Sequence, residues 1–189
     1  MKVSKFFFVL FSLIYSVNSI AQDQEQMMKK WQEAITPGKM HELLSKMVGE
    51  WDTEMTLIDP TGQEMKSKGV SKTESILGGR YFLTSQSGMM MGMPFEGKGL
   101  DAYDNVAKEF VSIWVDNMGT GVTVMKGYYD EKTKTLNYKG ESLDAMTGQT
   151  VIYRTVTKID NDNKISFDMY SIQNGKEAKM FTMIYTRKN

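Results

Sequence analysis

The chain contains a single histidine, His41, and no cysteine. His41 is therefore the one side chain whose ordinary pKa places a proton switch near neutral pH. A metal centre built from several imidazoles or thiolates is excluded, as are thiol nucleophiles and disulfides. No elbow motif surrounds any serine, so a Ser-His-Asp arrangement is not recognisable. Asp101, Asp104 and Asp116 fall close to Tyr103 and Trp114 and could share acid–base work. Next to turns, however, aspartate is favoured for its backbone hydrogen bonds alone. Arg80, Tyr103 and Arg154 could hold the carboxylate or carbonyl of a mostly apolar ligand, although alternation turns Arg154 outward. Gly78-Gly79 and Gly97-Lys98-Gly99 lack the following helix that a phosphate loop requires, and they read as turn and strand-bend glycines. No catalytic residue, metal or cofactor is assigned from these patterns. A binding role is favoured over an enzymatic one.

Across the whole chain 23 basic residues balance 23 acidic ones. The two signs are mixed along the sequence, so no basic face forms and a nucleic-acid partner is not expected. Lys2 and Lys5 precede an apolar run from Phe6 to Val17. That run is about 12 residues long, short of the ~20 that cross a bilayer as a helix. Ser19 and Ala21 supply the small residues of a cleavage site. The segment reads as a signal peptide cleaved after Ala21, which sends the protein to the periplasm or outside the cell; a retained anchor is the rival reading. Cleavage removes Lys2 and Lys5 and leaves a formal charge two below neutral. No membrane span follows.

These side chains must be positioned by two kinds of element. Met27, Met28, Trp31, Ala34 and Ile35 recur at helical spacing, Thr36-Pro37-Gly38 interrupts, and Met40, Leu43, Leu44 and Met47 resume the pattern. One or two short helices follow, although the first stretch could equally be a Gln-rich spacer. From Gly49 the period becomes two, and turn signals separate ten candidate strands: Gly49 to Ile58, Glu64 to Leu77, Arg80 to Ser87, Phe95 to Asp104, Lys108 to Val115, Gly121 to Tyr129, Lys134 to Ser142, Gln149 to Ile159, Lys164 to Ile172 and Glu177 to Arg187. Even spacing and short hairpin turns leave no room for crossover helices. The expected architecture is all-β, a single antiparallel up-and-down barrel, because closure buries the apolar faces and removes the edges. A β-sandwich is the alternative. The expected organisation is a signal peptide over 1–21, a helical segment over 22–47 and the barrel over 48–189.

Taking the more apolar set of each strand as the inner face, Trp51, Met55 and Leu57 turn inward. So do Leu136 and Tyr138; Ile165, Phe167 and Met169; Phe181, Met183 and Tyr185. On the fourth strand Phe95, Gly97, Gly99, Asp101 and Tyr103 share a face. The fifth, with Phe110, Ser112 and Trp114 against Val111, Ile113 and Val115, is apolar on both sides and stays unassigned. The chain has 17 methionines. An inner wall of methionine is soft and re-packs around irregular shapes, which suits either an adaptable pocket or a plain core. Met89-Met90-Met91-Gly92-Met93 is expected in the longest hairpin loop, as a lid or contact surface. Candidate ligand-binding residues are Met55, Phe95, Tyr103, Trp114, Tyr138, Phe167, Met183 and Tyr185, with Arg80 and His41 as polar contributors.

Pro37, His41, Leu44, Gly49 and Trp51 spell P-x3-H-x2-L-x4-G-x-W. Gly78-Gly79-Arg80-Tyr81, Gly99-x-Asp101-Ala102-Tyr103-Asp104, Trp114-x-Asp116 and Tyr185-Thr186-Arg187 follow. In combination this resembles a bacterial family known as domain of unknown function 1579, grouped with the calycin-like barrels; Ala102 stands where that family usually has glycine. The resemblance implies a barrel like those of lipocalins, fatty-acid-binding proteins and nitrobindins. It further implies that Trp51, after Gly49, stacks on Arg187 and closes one barrel end, a contact of roughly 0.5–2 kcal/mol. Nitrobindins hold haem through a late-strand histidine, which this chain lacks, so haem is disfavoured. The expected partner is a small hydrophobic or amphipathic molecule carried in the interior. The other two readings are an isomerase or hydrolase using His41 or an aspartate as base, and a surface interaction module with a filled barrel.

Overall fold

The structure is a computed structural model that describes residues 22–58, 61–144 and 147–188; the expected signal peptide lies outside the described residues. Residues 22–35 form helix α1. It ends where the Thr36 hydroxyl donates to the Gln32 carbonyl at 2.6 Å and Pro37, which has no N–H to continue the ladder, follows. The described residues through Thr36 belong to one unit, and Pro37 begins the other.

The second unit opens with helix α2, Lys39–Ser45. Ten strands follow: β1 Gly49–Ile58, β2 Glu64–Ile76, β3 Tyr81–Met90, β4 Met93–Asp104, β5 Glu109–Asp116, β6 Thr123–Asp130, β7 Thr135–Leu143, β8 Thr150–Asn161, β9 Lys164–Gln173 and β10 Lys176–Arg187. Each pairs with the next, and β10 returns antiparallel to β1 to close the barrel. The all-β up-and-down architecture expected from alternation is the observed one. Register across the seam runs from Trp51 opposite Arg187 to Leu57 opposite Phe181. The turns work as their residues dictate: Asp104 accepts from the Val106 and Ala107 amides at 2.7 and 3.0 Å, and Asp130 from the Lys132 amide at 2.8 Å.

The β3–β4 connection departs from expectation. Both strands run through the methionine cluster, Met90 pairs with Met93, and only Met91 and Gly92 form the turn, with φ of 52° and 81°. Positive φ at both central residues is the hairpin geometry that matches strand twist. Met91 adopts it with its side chain in solvent, 70% exposed. There is no long lid at this place.

Register also settles the strand that sequence left open. Asp101 faces Ser112 and Gly99 faces Trp114 across β4–β5, so Phe110, Ser112 and Trp114 point into the barrel with Phe95 and Asp101. Val111, Ile113 and Val115 point out.

Candidate functional site

One end of the barrel is plugged. The Trp51 ring is 1% exposed; its Nε1 donates to the Met47 carbonyl at 2.9 Å. The Arg187 guanidinium lies over that ring, 4.1 Å from its centroid, and donates to the carbonyls of Asp162, Val48 and Lys46 at 2.6, 2.8 and 3.1 Å. Gly49 has φ 133°, and a Cβ there would run into the Arg187 guanidinium. Glycine is thus required by conformation and by space. Helix α2 completes the plug, because Leu44, with no exposed surface, packs on Phe82, Phe110, Met125, Leu136 and Tyr138. His41 is buried in the same helix. Its Nδ1 accepts from the Gly38 amide at 3.1 Å, its other nitrogen donates to the Tyr103 carbonyl, and burial lowers its pKa.

Beyond the plug the wall changes character. Inward positions include Gly69, Gly88, Gly97, Gly99, Gly127 and Gly140. A Cβ at Gly97 or Gly99 would meet the Trp114 ring, so that ring lies flat along the wall instead of across the lumen. It stacks on Phe95 at 6.4 Å between centroids and 16° between planes, and its Nε1 donates to Asp116 at 2.8 Å. The Gly97-x-Gly99 pair, expected as a strand bend, is a seat for an indole.

Asp101, Trp114, Tyr153, Phe167, Phe181 and Tyr185 all point inward by register, yet each keeps partial exposure. In a closed barrel such surface faces interior space. Asp101 and Tyr185 make the point most clearly, since both point inward by register and burial raises both pKa values, Asp101 to about 6. Among the described residues, Ser112 supplies the hydrogen bond set against desolvation of the Asp101 carboxyl. Tyr138 is 6% exposed and its hydroxyl has no hydrogen-bond partner among the described residues. Burial raises its pKa, and the Asp101 charge raises it further, as it does for Tyr185. Asp101, Tyr138 and Tyr185 come from β4, β7 and β10, three regions of wall spaced around the barrel.

The candidates from sequence fall into three groups. Tyr103, Trp114, Phe167 and Tyr185 face the interior with surface to spare, whereas Met55, Phe95, Tyr138 and Met183 are packed into the wall at 6–7% exposure. Arg80 and His41 are elsewhere. Arg80 sits in the β2–β3 turn, outside the strand alternation, and donates to the Leu77 carbonyl at 3.0 Å; both His41 nitrogens are occupied as described. Neither holds a ligand's carboxylate in the lumen. Arg154 points outward and grips Glu177 with two bonds of 2.8 and 2.7 Å. Sequence reasoning passed over Asp101, Ser112 and Tyr153 as lumen residues. The signal for Asp101 was its place on the Phe95, Gly97, Gly99 face.

Two surface concavities lie apart from this interior. A groove of about 640 Å³ opens on the outer face across β2 to β5, where Lys72, Lys98 and Lys188 alternate with Glu50 and Glu96. Open and balanced in charge, it lacks the enclosed apolar character of small-molecule sites. A crevice of about 250 Å³ between α2 and the ends of β6 to β8 is lined by Leu43, Tyr129, Leu136, Thr157 and Ile159, among others. Among the described residues no three acidic, histidine or cysteine side chains converge as a metal site, and no helix is long and apolar enough to cross a membrane.

The fold has solved counterparts. Rv2717c from M. tuberculosis is similar with a TM-score of 0.61 at 14% identity, covering 82% of this chain and 100% of that one. The S-type phycobiliprotein lyase CPES from Guillardia theta is similar with a TM-score of 0.57 at 9% identity, covering 83% and 96%. At these identities the likeness is one of fold. No curated protein matches the sequence. The family described as "Protein of unknown function (DUF1579)" matches residues 36–187, which takes in α2, all ten strands and the Trp51–Arg187 seam, and the chain belongs to that family.

Proposed function

We propose that this protein is an exported barrel that holds one small amphipathic molecule in its interior. The observation that carries the reading is the inner wall: Asp101, Trp114, Phe167 and Tyr185 point inward by register and keep accessible surface, while Gly97 and Gly99 let the Trp114 ring lie flat against the wall. Apolar walls with a few convergent polar groups are what small-molecule sites are made of, and barrels of this size can hold one small ligand. Export is supported by the Lys2 to Ala21 pattern. The arrangement favours binding over catalysis, because the lone histidine is locked in the plug.

The test is native mass spectrometry of the mature protein purified from the cell envelope of its source, followed by denaturing extraction. A stoichiometric small molecule, with Ala21 removed and Gln22 as the first residue, is expected. Bare protein whose Trp114 fluorescence is indifferent to a panel of apolar and aromatic compounds would overturn the binding reading.

A further inference from the structure

Between its plugged end and its opposite rim, the lumen has charged equipment of one sign. Among the described inward positions the cations are Arg187, held in the plug by Trp51 and three carbonyls, and Lys176, exposed at the opposite rim where it pairs with Gln173. Asp116, near the opposite rim, is matched by the Trp114 Nε1 and the Met118 amide. Asp101 is left, enclosed by protein with a serine hydroxyl for company. An enclosed carboxylate without a counter-charge is costly, and natural interiors pair such groups. The surroundings do not repel a cation: Tyr138 and Tyr185 lie within the carboxylate's electrostatic reach, the Tyr138 hydroxyl is free to accept, and aromatic faces attract positive charge. A carboxylate-bearing ligand, such as a fatty acid, would instead bring like charge against Asp101.

We propose that the lumen is a site for a protonated amine on a compact apolar body, with the Asp101 carboxylate as its counter-ion and the Tyr138 hydroxyl as a flanking acceptor. The inference rests on interior binding. It adds the charge of the ligand, which that reading leaves open. Recognition is a charge-assisted N–H to carboxylate bond in a low-dielectric enclosure, where such bonds are strongest. It requires Asp101 ionised, so affinity rises with pH as the carboxyl titrates near 6.

Three probes of nearly equal size separate the possibilities: 2-phenylethylamine, 2-phenylethanol and 3-phenylpropionate, titrated calorimetrically into the mature chain. The expected result at pH 7.5 is an amine bound at least ~10-fold tighter than the alcohol and a carboxylate bound weakest, with the amine losing about tenfold by pH 5 as Asp101 protonates. Asp101→Asn should bring the amine down to the alcohol's affinity, a far larger loss than the alcohol itself suffers. Tyr138→Phe should weaken the amine less than Asp101→Asn does. Equal binding of amine and alcohol, tightest binding of the propionate, or an amine preference that survives Asp101→Asn would overturn the inference and leave interior binding intact. Failure of all three probes to bind would remove interior binding itself and this inference with it.

Discussion

At the α2 end the buried ring and guanidinium groups have partners, although the Ser71 hydroxyl opposite Trp51 does not. The Trp51 indole reaches the Met47 carbonyl, the Arg187 guanidinium reaches three more, and His41 engages both its nitrogens. A few residues further along the same strands, Asp101 has one hydroxyl partner and the Tyr138 hydroxyl has none. Trp51 and His41 are 1% and 5% exposed, whereas Asp101 keeps partial exposure toward the interior. Beyond exposure, what separates the two regions is completeness. A satisfied network specifies and rigidifies a structure, whereas an unsatisfied one costs stability and persists in natural proteins chiefly where function requires it. The plug is the stabilising region and the lumen bears the cost.

The comparison can be broken most forcefully at the plug. Trp51→Ala removes a fully buried indole, its hydrogen bond and the surface on which Arg187 rests, and should cost about 4 kcal/mol. Urea unfolding at pH 7.5 reads this directly; a loss under ~1 kcal/mol would mean that closure does not depend on the seam pair.

Asp101→Asn should act in the opposite direction. The carboxyl's folded pKa is raised from 3.8 to about 6. Its contribution to stability is therefore fully present below pH 3.8 and lost as pH rises through about 6. At 1.36 kcal/mol per unit the loss is about 3 kcal/mol. The variant escapes it, so it should be more stable than the parent by up to that amount at pH 7.5, with the gap closing toward pH 4. A constant gap across this range would show that Asp101 is not titrating as described.

Tyr138→Phe should have the smallest effect. It deletes an unpartnered buried hydroxyl and should leave stability unchanged or raised by about 1 kcal/mol. A loss of more than that in thermal unfolding would reveal a hydrogen bond to Tyr138 and weaken the contrast with the plug.

Much of this was readable in advance because alternation and turn chemistry are local. Asp104 sits where its carboxyl can catch two following amides, and Leu136-x-Tyr138 needs only period two to be placed inside. Asp101 shows where local reading failed. Its face was legible from Phe95-x-Gly97-x-Gly99-x-Asp101, but proximity to a turn made it look like a second Asp104, and only register across β4–β5 shows that it points away from solvent. Arg80 failed for a related reason, since alternation has no meaning inside a tight turn. The Met91-Gly92 turn was missed because methionine is not a residue that asks for positive φ; the twist of the flanking strands imposes it. Enclosure around Asp101 depends on residues from β4, β7 and β10, and no spacing along the chain encodes that convergence.

The seam between β1 and β10 also bears on the order of events in folding. The Arg187 guanidinium bonds to the Val48 carbonyl across 139 residues of sequence, so the first strand keeps one open edge until the last has been made. Local hairpins can form early, but the closing contact has the longest loop in the molecule behind it and completes last. A chain that cannot finish folding until β10 is synthesised stays incomplete through most of its synthesis, a property that would suit the export proposed above.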